Sequence, residues 1–117
     1  CSDGKDGGHP RGYGSFTKIL SKYTRDEKLL SLEMAIHKMT GLTASHLGLN
    51  HRGIIKQGNF ADLVLFDPNL VKDNATIQNS KALSKGIQMV WVNGQLIYQN
   101  QKATGKLPGN LITTKNE

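Results

Sequence analysis

The sequence holds one cysteine, three prolines, one tryptophan and only 6% aromatic residues in 117. A lone Cys1 excludes an internal disulfide framework and leaves neither a zinc-ribbon spacing nor a CxxC redox pair. No apolar run approaches the ~18 residues of a membrane helix, and the first residues lack the basic-then-apolar order of a signal peptide. Nothing in this stretch is read as crossing a membrane, and the protein is placed in the cytoplasm, although a signal upstream of Cys1 would leave no trace here. Clustered positive charge is missing too. Fifteen Lys and Arg against nine Asp and Glu give a net charge of +6, but they are spread from Lys5 to Lys115 without interleaved aromatics for base stacking. The excess is read as solubility, with no nucleic-acid and no membrane partner.

Glycine is abundant, at 13 residues, and its placement organises the front of the chain. Gly4, Gly7, Gly8, Gly12 and Gly14 with Pro10 predict a loop over residues 1–14, the kind of backbone that can approach a ligand closely. Ser15 then stands as a cap for an amphipathic helix whose apolar positions are Phe16, Ile19, Leu20 and Tyr23, with Lys18, Lys22 and Arg25 on the wet side. A second helix is predicted from Ser31, with Glu33 in its first turn, a stripe of Leu32, Ala35, Ile36 and Met39, and Gly41 to end it. Thr43–Leu49 reads as a third, short helical segment, leading into a loop through Asn50, His51 and Gly53.

The second half changes character. Ala61–Pro68 is a nearly continuous apolar run closed by Asp67–Pro68, as expected of a strand covered on both faces. Residues 69–85 are polar and aperiodic and read as a long connection. Ile87–Val92 and Gln95–Tyr98, joined by Asn93–Gly94, form the strongest local signal, since both turn residues tolerate positive φ. Met89, Trp91 and Tyr98 alternate along this hairpin and read as core. A helical front followed by three strands is too little sheet to close a barrel or sandwich, so its open edges need a cover from elsewhere in the same protein or from a second subunit.

By itself Ser2-Asp3-Gly4 is an ordinary turn triplet. Its weight comes from the ordered series of motifs downstream: His9-Pro10-Arg11 and Gly14-Ser15-Phe16, then Ser31-Leu32-Glu33-Met34-Ala35, the stretch from Arg52-Gly53 through Ala61-Asp62-Leu63-Val64-Leu65-Phe66-Asp67, and Val92-Asn93-Gly94. Together these resemble the C-terminal third of an enzyme of the amidohydrolase superfamily. The segment from Gly53 to Asp67 and the Val-Asn-Gly hairpin resemble the superfamily at large, whereas Ser2-Asp3-Gly4 followed by His9-Pro10-Arg11 and Gly14-Ser15-Phe16 resembles the D-aminoacylase branch, the N-acyl-D-amino-acid deacylases.

The resemblance implies an α/β fold with additional β: the end of a (β/α)8 metal-dependent hydrolase barrel after its eighth strand, with terminal helices, in residues 1–50, and the C-terminal half of a small β-sandwich in residues 51–117. It implies a zinc-dependent hydrolysis of N-acyl-D-amino acids to a D-amino acid and a carboxylate. Asp3 would be the catalytic general base and would contact the metal through its bound water, taking the water's proton and returning one to the leaving nitrogen. Most zinc ligands would lie outside the sequence, because His9, His37, His46 and His51 form neither an H-x-H nor an H-E-x-x-H pattern. Arg11 and His9 are the candidate substrate-binding residues, a guanidinium fork matching the substrate's carboxylate. Arg11 has a second reading, as a structural tie from the glycine loop to nearby backbone carbonyls. A fragment of this kind is expected to be inactive alone, its partners being the substrate and the missing N-terminal portion, or a second copy. Two alternatives share most of these residues: a dihydroorotase-like or hydantoinase-like cyclic-amide hydrolase, and a non-enzymatic module that self-associates through its sheet edges.

Overall fold

The computed structural model describes residues 9–113. The chain forms two compact units, one from the residues through Leu32 with Phe66–Ile87, the other from Glu33–Leu65 with the chain from Gln88 onward. Asp3 and Cys1 lie outside the described residues.

In the first unit, helix α1 covers Arg11–Lys18 and continues without a break as a π-helical segment, Ile19–Asp26. The helix therefore begins four residues ahead of Ser15, and the predicted loop is corrected over residues 11–14. Pro10 explains the early start. Its φ of −50° is already helical, its missing N–H would have no partner in a first turn, and its carbonyl accepts the N–H groups of Tyr13 and Gly14 at 3.1 Å each. The expected apolar stripe holds at Leu20, with Ile19 and Tyr23 half-buried, and is corrected at Phe16. Phe16 is 70% exposed, while the buried positions are Gly14, Leu20, Ser21 and Thr24. Small and hydroxyl-bearing side chains face inward because the side chains of the 73–84 loop close on them: Asp73 packs on Gly14 and accepts the Ser21 hydroxyl, and Ser84 meets Thr17. Arg25, expected on the wet side, turns to the 68–71 backbone: its Nη1 donates to the carbonyls of Pro68, Asn69 and Val71, at 3.3, 3.2 and 2.7 Å.

The connection at 69–85 is a closed loop. Asp67 Oδ1 accepts the N–H groups of Asn69 and Leu70, and Lys72 and Lys85 exchange two backbone hydrogen bonds at 3.2 and 2.9 Å. Val71, with no exposed surface, sits under Gly86, where a Cβ would lie 2.4 Å from the Val71 nitrogen. Gly86 also has φ of +80°, so both space and backbone angle demand glycine there.

In the second unit, α2 spans Leu32–Met39, as the stripe predicted, with Ala35 buried. Gly41 does not simply end it. It opens α3, Gly41–His46, whose buried residues are Gly41 and Ala44. The sheet has four strands in the order β1-β2-β3-β4: Leu63–Phe66, Ile87–Val92, Gln95–Gln99 and Lys102–Ala103. Asn93 and Gly94 take φ of +48° and +76°, the mirror-image turn their side chains allow, and β2 and β3 pair antiparallel from Val92 opposite Gln95. Between Val90–Tyr98 and Trp91–Leu96 the register slips by one, leaving Ile97 as a bulge whose carbonyl accepts the Thr104 N–H at 2.9 Å. The short β4, not predicted, follows a second turn of positive φ at Asn100 and Gln101. Met89, Trp91 and Tyr98 are half-buried.

One expectation about β1 fails. Leu63, Val64 and Leu65 are 37, 56 and 46% exposed rather than covered on both faces. β1 is an outer strand with β2 as its one neighbour, and its side chains are only partly covered.

Candidate functional site

Of the residues singled out at the front of the chain, His9 and Arg11 lie together at the head of α1. His9 turns its ring back so that Nδ1 accepts the Arg11 backbone N–H at 3.2 Å, filling one of the donor positions that a helix start leaves open. Arg11 is the first residue of α1 and is exposed; its carbonyl accepts the Ser15 hydroxyl at 2.8 Å. Among the described residues its guanidinium has no hydrogen-bond or ion-pair partner. Asp3 lies outside the described residues.

Sequence reasoning missed what fixes this helix head in place. Gly14 packs so tightly that a Cβ there would stand 3.1 Å from Asp73 Cβ. One turn on, Thr17 Oγ1 and Ser84 Oγ are 2.6 Å apart, and the Ser84 hydroxyl reaches the Tyr13 carbonyl at 3.4 Å. Another turn on, Ser21, 2% exposed, donates to Asp73 Oδ1 at 3.3 Å, and Arg25 follows with its three carbonyls. Gly14, Thr17, Ser21 and Arg25 recur every three or four residues, so the stripe is present in the sequence. It escapes notice because its members are polar or lack a side chain, and periodicity is usually sought in apolar residues.

Beside the π-helical segment lies a cleft of about 500 Å³, lined by Leu20, Thr24, Arg25, Lys28, Leu30, Ser31, Leu32, Pro68 and Asn69. It is not at the Arg11 end of the helix. The histidines are dispersed: His37 stands on α2, His46 on α3 and His51 in the following loop. Among the described residues, no three of His, Cys, Asp and Glu gather to hold a metal. The described residues therefore do not fit a metal centre of their own.

The second motif region has a structural part. Arg52 Nη1 is paired with Asp62 Oδ2, Arg52 Nη2 donates to Asn93 Oδ1 at 3.3 Å, and the guanidinium lies 4.1 Å from the Phe60 ring centre. Asp62 Oδ1 accepts the Asn93 N–H at 2.7 Å, and Asn93 Nδ2 donates to the Pro108 carbonyl at 2.8 Å. Arg52, Ala61-Asp62 and Asn93-Gly94, separate in sequence, are thus one knot that ties the entry to β1 and the hairpin turn to the 108 region. Gly94 completes it by donating to the Ala61 carbonyl at 3.0 Å. Ion pairs and charge-assisted bonds of this kind fix a loop arrangement; they do not by themselves mark a reactive centre.

Residues 4–98 match the Amidohydrolase family. The chain belongs to that family. It is 48% identical over 104 residues to an N-acyl-D-aspartate deacylase of Alcaligenes xylosoxydans xylosoxydans, a match that covers 89% of this chain and 21% of that protein. A crystal structure of a D-aminoacylase superposes with a TM-score of 0.82 at 46% identity, over 84% of this chain and 21% of that one. An N-acyl-D-glutamate deacylase of Bordetella bronchiseptica, solved with zinc and a phosphonate mimic of the tetrahedral intermediate, superposes at 0.78 with 42% identity, again over 84% and 21%. The chain spans about a fifth of the length of the relatives it matches. At these identities the helices and the antiparallel sheet described above are an amidohydrolase arrangement.

Proposed function

We propose that this chain is the C-terminal part of a zinc-dependent deacylase that hydrolyses N-acyl-D-amino acids to a D-amino acid and a carboxylate. Residues 1–50 would close a (β/α)8 barrel after its eighth strand, and residues 51–117 would supply strands to a β-sandwich completed by the rest of the enzyme. The exposed apolar side chains of β1 favour such a completion, with the remainder of the polypeptide as the partner and a second copy of the chain as the competing one. The cytoplasm is the proposed location.

In this reading Asp3 is the general base. Its carboxylate takes a proton from the attacking water as the water oxygen bonds to the amide carbon. It then gives a proton to the leaving nitrogen as the C–N bond breaks, so one group serves both halves of the reaction. Zinc finds no ligand set among the described residues, so no step is assigned through it, and its ligands are proposed to come from the rest of the enzyme. Arg11 receives the substrate's α-carboxylate through two parallel N–H donors, and His9, two residues before it, is the second substrate-binding residue of the proposal.

The observation that carries this reading is the state of Arg11: an exposed guanidinium without a partner among the described residues, at the head of a helix anchored along its buried side. A free carboxylate on an open-chain substrate suits it. High identity to deacylases of D-aspartate and D-glutamate derivatives favours acyclic amides over the cyclic amides of the alternative reading. The test is a substrate panel on the zinc-loaded full-length enzyme: N-acyl-D-amino acids, their L-enantiomers and cyclic ureides. Turnover confined to the D-acyl series is expected, with the 117-residue chain alone inactive. Preferential ring opening of cyclic ureides would sink the proposal.

A further inference from the structure

The loop at 72–85 does more than connect strands. Its neck is closed by the two Lys72–Lys85 backbone bonds, and the residues flanking that neck, Asp73 and Ser84, are the two that grip α1. A further bond from Asn74 Nδ2 to the Leu83 carbonyl, at 2.9 Å, stiffens the same end. Asp73 is shared between two contacts. Its Cβ sits against Gly14, and its Oδ1 accepts the Ser21 hydroxyl two turns further on, so it restrains both the sliding and the roll of the helix. Arg11 lies on the same helix, less than one turn before Gly14.

We propose that Asp73 is a positioning residue for substrate binding: through Gly14 and Ser21 it sets the roll and height of α1, and so the place where the Arg11 guanidinium meets the substrate's carboxylate. The inference rests on the role given to Arg11 above. A helix moves as a rigid rod, so a loosened grip at Asp73 carries directly to Arg11. Displacements of about 1 Å at a substrate-holding group cost up to roughly 100-fold. Asp73 itself is half-buried against the helix flank and has no place in the reaction, so its loss weakens substrate capture more than turnover.

The experiment uses the full-length zinc-loaded enzyme with Asp73→Ala, Asp73→Asn, Arg11→Ala and the Asp73→Ala/Arg11→Ala double variant, each checked for zinc content. Asp73→Ala, which keeps the Cβ against Gly14 and removes the acceptor of the Ser21 hydroxyl, so that the roll of the helix is released, is expected to raise KM for an N-acyl-D-amino acid by about 10-fold with kcat within about twofold. Asp73→Asn, which keeps an acceptor oxygen for Ser21, returns KM to within about threefold of the parent. In the Arg11→Ala background, Asp73→Ala adds no further rise, because its effect runs through Arg11. A full additional rise there, or a fall in kcat with KM unchanged, overturns the proposal. Hydrogen exchange over residues 11–18 separates its failure from that of the function. If Arg11→Ala leaves KM unchanged, the carboxylate role of Arg11 is lost, and with it the route to KM. Faster exchange in Asp73→Ala then still upholds the grip, whereas unchanged exchange overturns that too. Should Asp73→Ala not fold, Ser84→Ala, which removes the Thr17 and Tyr13 contacts at the other side of the neck, carries the same expectations.

Discussion

Replacing Gly86 by alanine should unfasten the first unit, and the size of the effect is set by two separable costs. Gly86 has φ of +80°, and an L-residue in that region pays about 1–2 kcal/mol. The new Cβ would also lie 2.4 Å from the Val71 nitrogen, 2.5 Å from its Cα and 2.7 Å from the Leu70 carbonyl carbon. These are backbone atoms, held by the Asp67–Gly86 bond at 2.9 Å and by Arg25 on the Val71 carbonyl, so they cannot swing aside. Overpacking of this kind adds about 1–3 kcal/mol, for a total of about 2–5 kcal/mol. Gly58→Ala is the control: φ there is +89°, but nothing lies within 4 Å, so only the backbone cost applies. Hydrogen exchange of the full-length protein reads both locally. Amides of 70–72 and 85–87 should exchange at least about 30-fold faster in Gly86→Ala, and those around residue 58 about 5- to 30-fold faster in Gly58→Ala, at 1.4 kcal/mol per decade. Equal effects of the two substitutions would refute the close approach of Gly86 to Val71.

Three further outcomes concern the second unit and the helix. Asn93→Ala removes the bonds to Arg52 and Pro108 and forces positive φ on alanine, and should cost about 2–3 kcal/mol by chemical denaturation; Asn93→Gly keeps the turn and should recover part of it. Asp62→Ala leaves Arg52, 13% exposed at its side chain, without its carboxylate, and should cost about 1–3 kcal/mol, discounted because Asp62 is itself 36% exposed. Glu27→Gln, at a Lys22–Glu27 pair with side chains 50 and 42% exposed, should move the melting temperature by no more than the equivalent of about 0.5 kcal/mol.

The hairpin is the most legible part of the chain, because Asn93-Gly94 between two apolar runs leaves few other conformations, and β2 lies at the predicted residues. α2 is legible for a related reason: Leu32, Ala35, Ile36 and Met39 keep a single period. What escapes the sequence is governed by contacts distant along it. Local pattern starts α1 too late, since Gly12 and Gly14 read as loop formers, whereas Gly14 is in the helix to admit Asp73, 59 positions later. Its inward stripe of Thr17, Ser21 and Arg25 makes sense only beside Asp73, Ser84 and three carbonyls, none of which a local pattern announces. β4 escapes because two residues carry no periodicity. Of the candidate site, His9 and Arg11 are found together at a helix head, while the capping bond of His9 and the grip that fixes Arg11 are visible only in three dimensions.

The central claim is that Asp3 is the proton-transferring group of a deacylase whose C-terminal part is this chain. Its most direct test is the turnover of an N-acyl-D-amino acid by the zinc-loaded full-length enzyme, comparing Asp3 with Asp3→Asn. General acid–base groups typically contribute about 100- to 10,000-fold, so kcat should fall by that range while zinc content and the KM, which the proposal assigns to Arg11, stay near the parent values. An Asp3→Asn enzyme with full zinc and kcat within a fewfold of the parent would contradict the account.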